Sequence, residues 1–243
     1  MAWGNFITLP CPYKKWDSNL KNMMLSFLPM VGLVIGVLWM GIYWCMVALE
    51  IPVAIAFFVL MFYIFAICGF MHMDGFMDCN DAILSRRPLE ERQRILKDST
   101  VGAFAVVTVA FLLIGWYAAM STAAYKLDYL DLVLLPVISR GIGGLCVLGY
   151  MPIGHSQYVH DYEEPNKGKY IIAVILEMLI ITALVFLGEG MAVKPLICGA
   201  VMVIVGLLAC LYARRNLGGM SGDVAGYVIC LSEFAGIVTL AII

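Results

Sequence analysis

The sequence predicts an all-α, polytopic integral membrane protein: a bundle of about seven transmembrane helices forming one membrane-embedded domain over residues 1–243. Three observations carry this reading. The chain is 63% hydrophobic and only 13% charged, against about 25% charged in a soluble domain, and its mean hydropathy is +0.95. Apolar runs near the ~20 residues that a helix needs to cross a bilayer recur along the whole length. Every polar stretch between them is shorter than a foldable unit, so no second domain is expected.

The runs fall at roughly 27–49, 51–71, 102–124, 130–149, 170–187, 196–213 and 224–243. Between the first two stand Glu50, Ile51 and Pro52; proline cannot continue the preceding helix, which predicts a tight hairpin. The fourth run carries Pro136, Arg140 and a cluster of glycines, leaving it open whether that span is complete or re-entrant. Residues 72–101 form the longest polar loop, and within it Pro88 to Leu96 has the pattern of a short amphipathic helix with proline in its first turn.

Lysine and arginine set the orientation. With the N-terminus inside, the inner loops hold Lys14, Lys15, Lys21, Arg86, Arg87, Arg92, Arg94, Lys97, Lys167, Lys169, Arg214 and Arg215, twelve of the fifteen. An odd number of spans then puts Ile243 outside. The expected location is the cell (inner) membrane, multi-pass, with the polar loops cytoplasmic. Met1 to Trp16 lacks the basic start and short apolar core of a cleavable signal. The eight cysteines include no C-x-x-C pair and lie mostly in apolar runs, so they are expected to be reduced and packed as small hydrophobes. A net charge of -2 without a basic tract gives no footing for nucleic acid. The lipid bilayer is the expected partner, and a homo-oligomer stays open.

Chemistry concentrates where the second run ends, in His72-Met73-Asp74-Gly75-Phe76-Met77-Asp78-Cys79-Asn80-Asp81. Helical steps of four and three residues put Asp74, Asp78 and Asp81 on one face, a stripe about 10 Å long. Like charges at this spacing repel, and a shared divalent cation relieves them; all-oxygen donors suit Mg²⁺. Gly75 lets a phosphate or metal approach the backbone. His72 is a further candidate, as a ligand or a hydrogen-bonding neighbour. Lys97-Asp98-Ser99-Thr100-Val101-Gly102 precedes the third run, where a Ser or Thr cap and free N–H groups favour an anion. A glycine-rich turn ending in Ser221-Gly222-Asp223 enters the last run on the same side. Arg140, Glu177 and Glu233 lie within spans and must face the interior, with Glu233 a candidate partner of Arg140. The loop from Met151 to Lys169 reads equally as a lid or as a solvated connection; His155 and His160 match no metal-binding spacing.

The block His72-x-Asp74-Gly75-x-x-Asp78-x-x-Asp81-Ala82, followed by Lys97-Asp98-Ser99-x-x-Gly102-x-Phe104, resembles the signature of the cobalamin synthase family, the adenosylcobinamide-GDP ribazoletransferases. Phe6-Ile7-Thr8-Leu9-Pro10 with Pro12, Pro29 to Gly36, Ser139-Arg140, and Gly218 to Asp223 with Glu233 extend the resemblance over nearly the whole chain. Met220-Ser221 depart from it, a threonine being expected beside the final glycine-aspartate. The resemblance implies a transferase of vitamin B12 (cobalamin) biosynthesis with Mg²⁺ as cofactor. Its substrates would be adenosylcobinamide-GDP and α-ribazole or α-ribazole 5′-phosphate, with GMP released. On this reading Asp74, Asp78 and Asp81 are the catalytic and metal residues. His72, Gly75, Lys97, Asp98, Ser99, Arg140, Gly222, Asp223 and Glu233 are the substrate contacts. A CDP-alcohol phosphotransferase is the rival enzyme, but Phe76-Met77-Asp78 stand where that motif has an Ala-Arg pair. A transporter lined by Arg140, Glu177 and Glu233 is the rival from another class, and the internal repeat frequent in transporters is not found.

Overall fold

A computed structural model describes residues 1–11, 17, 20–124, 126–154 and 167–243. Pro12, Lys14, Lys15, His155, His160, Asp161, Glu163, Glu164 and Pro165 lie outside the described residues. Among those described, the chain forms helices α1 (Ala2–Phe6), α2 (Lys21–Ser26), α3 (Leu28–Ala48), α4 (Val53–Ala66), α5 (Met71–Leu84), α6 (Leu89–Ile95), α7 (Ala103–Ala123), α8 (Asp131–Gly149), α9 (Gly168–Gly188), α10 (Lys194–Leu217) and α11 (Gly222–Ile242). Six of them (α3 and α7 to α11) are each long and apolar enough to cross a membrane. Their outer faces are apolar as well: Phe111, Leu184 and Ile204 are 74%, 62% and 57% exposed. A helix apolar on both its inner and outer faces belongs in lipid, and the protein is a multi-pass membrane bundle.

The fourth predicted span, α8, is a single continuous helix and the axis of the bundle, 89% buried. Pro136 lies inside it, and the neighbouring α3 approaches at backbone distance through Gly32 and Gly36. A side-chain carbon at Gly36 would stand 2.6 Å from the Cα of Val133. Small residues thus bring the backbones of these two helices together, as in other membrane interfaces. Across the bundle Trp39 Nε1 donates to the Leu60 carbonyl at 2.9 Å, and its ring lies against Trp116. None of the eight cysteines is joined to another by a disulfide among the described residues, and six are buried.

The second span departs from expectation. Instead of a straight helix over 51–71, α4 ends after 14 residues, about 21 Å at 1.5 Å per residue and short of a ~30 Å hydrocarbon core. The chain then turns by 81° into α5. Gly69 (φ 61°) and Phe70 (φ 60°), both left-handed, make the corner. The predicted polar loop over 72–101 is therefore largely helical. Within it α6 forms where expected, with Pro88 as its N-cap.

The two ends of the bundle are distinct. At one end Arg92 and Gln93 of α6 donate to Asn216 Oδ1 (2.9 Å) and to the Leu217 carbonyl (2.8 Å), and Ile153 N donates to the Met220 carbonyl (2.9 Å). At the other, Lys126 Nζ donates to the Ile242 carbonyl at 2.9 Å. Asn5 and Asp223 border one cavity, so the two termini lie at opposite ends, which agrees with seven crossings when the bent α4–α5 pair is counted with the six long helices.

Candidate active site

Helix α5 lies across the rim of the bundle rather than through it. Near its start, Gly75 meets the backbone of Asp223 at the beginning of α11; near its end, Asp81 rests on Gly102, the N-cap of α7. Helices α7 and α11 begin at the same end, so α5 bridges two helix N-termini there. An acidic stripe suits that position, because helix N-termini carry partial positive charge.

Asp74 is exposed, while Asp78 and Asp81 are half-buried. A side-chain carbon at Gly102 would overlap the Asp81 carboxylate, so the missing side chain there makes room for the acid. Burial first, then the charges of Asp74, Asp223 and Asp81, push the Asp78 carboxyl up to about 7. Asp223 is thus a fourth carboxylate of the cluster, a role that its glycine-rich sequence setting does not reveal. Its neighbour Ser221 caps α11, its Oγ accepting from Val224 N at 3.2 Å. Phe76 stacks on Tyr227, centroids 5.7 Å apart and planes at 14°, fixing α5 on α11.

Beside the stripe is a cavity of about 290 Å³. His72, Asp74, Gly222 and Asp223 supply its polar wall, and Met24, Leu25, Leu28, Val147 and Ile229 its apolar one. Asn5 and Lys21 also line it; sequence reading missed both, counting Lys21 only as an orientation charge. Burial, and then the positive charge of Arg140, lower His72 to about 3, so its ring is neutral at physiological pH.

Other predicted residues lie elsewhere. Arg140 and Glu233, both buried, form an ion pair in the bundle interior. Ser139 Oγ donates to Glu233 Oε1 at 3.0 Å, and Arg140 Nη2 faces Cys68 Sγ at 3.4 Å. The expected partnership is found, but neither side chain lines the cavity. Lys97, Asp98 and Ser99 are exposed. Asp98 Oδ1 accepts from Thr100 N at 3.0 Å and from its Oγ1 at 2.7 Å, closing a local turn. The expected Ser or Thr cap of α7 is not formed: Gly102 is the cap, with no side-chain bond.

The donor set fits a hard cation, being all carboxylate with mutual repulsion uncompensated at Asp78. The stripe's oxygens do not close to within 4.8 Å of one another, unlike those of another acidic trio in the chain. An ion held there would take one or two of these carboxylates and complete its shell with water or a ligand's oxygens.

Fold and site together define a multi-pass helical membrane protein with an acid-walled cavity at one rim. The family model described as cobalamin-5-phosphate synthase matches residues 1–241. Adenosylcobinamide-GDP ribazoletransferase of Clostridium perfringens (strain 13 / Type A) is 36% identical over 245 residues, covering 100% of this chain and 96% of its own. The protein of the same name from Clostridium botulinum (strain Alaska E43 / Type E3) is 36% identical over 242 residues, covering 98% and 94%. That of Lachnoclostridium phytofermentans is 26% identical over 242 residues, covering 96% and 88%. The chain belongs to the cobalamin-5-phosphate synthase family. No solved structure matches it.

Proposed function

We propose that this enzyme joins adenosylcobinamide-GDP to α-ribazole or α-ribazole 5′-phosphate, giving adenosylcobalamin or its 5′-phosphate and GMP, with Mg²⁺ as cofactor. The observation that carries this reading is Asp78, ringed by Asp74, Asp81 and Asp223 beside a cavity. A ribose hydroxyl attacks the phosphorus attached to the corrinoid arm; the P–O bond to GMP breaks as the new P–O bond forms. Phosphoryl transfer depends mainly on positioning and charge neutralisation.

Asp74, Asp78 and Asp81, with Asp223 beside them, would hold Mg²⁺, which when bound neutralises charge on the diphosphate. Asp81 or a neighbouring carboxylate accepts the hydroxyl proton. Neutral His72 and the start of α11 at Gly222 orient the ribose or phosphate, while Lys97, Asp98 and Ser99 meet the substrate from the loop before α7. Arg140 and Glu233 act from beneath as a brace between α8 and α11. The concentration of lysine and arginine at the aspartate end supports a cytoplasmic site in the cell membrane.

The test is Asp78→Ala in purified protein. Mg²⁺-dependent GMP release should vanish while the variant still inserts and melts cooperatively; retained turnover rejects the reading.

A further inference from the structure

At the end of the bundle opposite the aspartate rim, we infer a second, non-catalytic site for a hard divalent cation, built from Asp128, Asp131 and Glu189. One carboxylate oxygen from each lies within 4.8 Å of the others. Asp128 comes from the turn between α7 and α8, Asp131 is the first residue of α8, and Glu189 is the C-cap of α9. The site therefore spans two turns far apart in sequence.

Proximity alone would carry little, since acidic residues often gather at surfaces. The burial is the second observation. Asp131 is 0% exposed. Its Oδ2 accepts from Asp128 N at 2.9 Å and from Lys194 Nζ at 2.8 Å. Its Oδ1 is buried and has no hydrogen-bond partner among the described residues. Both oxygens of Glu189 are also buried and receive no N–H donor there, facing the Asp131 carboxyl instead. A buried, unpaired carboxylate oxygen is costly, and three of them together call for a donor or a cation.

The nearby basic groups do not meet that demand. Lys194 Nζ already donates to the Lys126 carbonyl, Asp128 Oδ2 and Asp131 Oδ2, which uses its three hydrogens. Lys126 Nζ is turned to the carbonyls of Ala241 and Ile242. Three carboxylates therefore face one ammonium. Glu189 adds its charge at the negative end of α9, which the helix dipole opposes. A hard cation with all-oxygen ligands answers this imbalance, with water completing its shell, and Asp128, whose side chain is 62% exposed, offers the way in. Bound there, the ion would pin the α7–α8 turn to the α9–α10 turn.

The experiment uses full-length protein in detergent carrying Asp74→Asn and Asp78→Asn, which silence the first cluster. Mn²⁺ is titrated at neutral pH by electron paramagnetic resonance, with Ca²⁺ and Mg²⁺ as competitors. One bound Mn²⁺ is expected, displaced by the competitors. Glu189→Gln, nearly isosteric, should weaken it at least about tenfold, and so should Asp128→Asn on the exposed member. Ca²⁺ or Mg²⁺ should raise the melting temperature of the background protein and not that of its Glu189→Gln derivative. Absence of bound Mn²⁺ in a cooperatively melting background protein overturns the inference. So does unchanged affinity in both variants, or a melt that follows pH and ignores cations, which would mean that Asp131 and Glu189 share a proton.

Discussion

Gly75 lies directly against the backbone of Asp223: a side-chain carbon at position 75 would stand 2.7 Å from the Asp223 carbonyl oxygen and 2.8 Å from its Cα. This contact brings the fourth carboxylate to the stripe. In Gly75→Ala, α5 and α11 must separate, an overpacking that typically costs about 1–3 kcal/mol. Displacing catalytic groups by an ångström lowers rates by about a hundredfold, and GMP release should fall on that scale in protein that still melts cooperatively. Gly41→Ala is the control, since nothing lies within 4 Å of the added carbon, and its turnover should match the parent. Parent-like turnover in Gly75→Ala would separate Asp223 from the chemistry.

Crowding at Asp78 predicts a trade between stability and activity. Its carboxyl titrates near 7 in the fold, against an unperturbed 3.8. The folded state thus holds a proton that the unfolded chain has released between those values, and its stability falls as pH rises through that window. Asp78→Asn removes the penalty. In EDTA at pH 8 the variant should be more stable than the parent by about 1 kcal/mol, after discounting for half-exposure. The gap should be smaller at pH 5 and close only below 3.8, where Asp78 is protonated in the folded and the unfolded parent alike, and Mg²⁺ should raise the melting temperature of the parent alone. Thermal melts at the two pH values, with and without Mg²⁺, check this; a variant less stable at pH 8 would contradict it.

These relationships mark what sequence can and cannot disclose. Helix period and apolar run length depend on local chain geometry, so the six long helices and the face shared by Asp74, Asp78 and Asp81 were legible. The corner at Gly69 and Phe70 was not, because the apolar run continues through it without a proline. That corner lays the stripe across the rim. Partnership between Arg140 and Glu233 followed from the cost of isolated charge in a membrane, whereas Asp223 as a neighbour of Asp78 depends on two helices crossing at Gly75. Lys21 and Asn5 carried no local signal, since only tertiary packing brings the N-terminal segment to the cavity.

Lys21 offers a test of that packing. It lines the cavity together with Asp74 and Asp223, where an ammonium favours the phosphate of an incoming substrate. Lys21→Met keeps the apolar stem and removes the charge. Lost ground-state binding raises KM and leaves kcat near its parent value, and KM for a phosphate-bearing substrate should rise about tenfold, equivalent to ~1.4 kcal/mol. Steady-state kinetics on both substrates decide it, and an unchanged KM for each would place Lys21 outside the binding surface.

The Arg140–Glu233 pair makes the opposite kind of demand, on stability rather than on binding. Both side chains are buried, at 1% and 2% exposure, and Ser139 completes the network through Glu233 Oε1. Removing one partner leaves an uncompensated charge inside the bundle, and Glu233→Ala or Arg140→Ala should each cost about 3–5 kcal/mol. Replacing both by apolar residues of similar volume, Arg140→Met with Glu233→Leu, removes the two desolvation penalties together and should recover most of the loss. The interaction energy from the cycle should then be large, and melts of the two alanine variants, their double alanine combination and the Met/Leu pair measure it. Because neither residue lines the cavity, the Met/Leu protein should keep most of its GMP release. Additive losses would show that the charges do not act as a pair, and a stable but inactive Met/Leu protein would return Arg140 to the substrate.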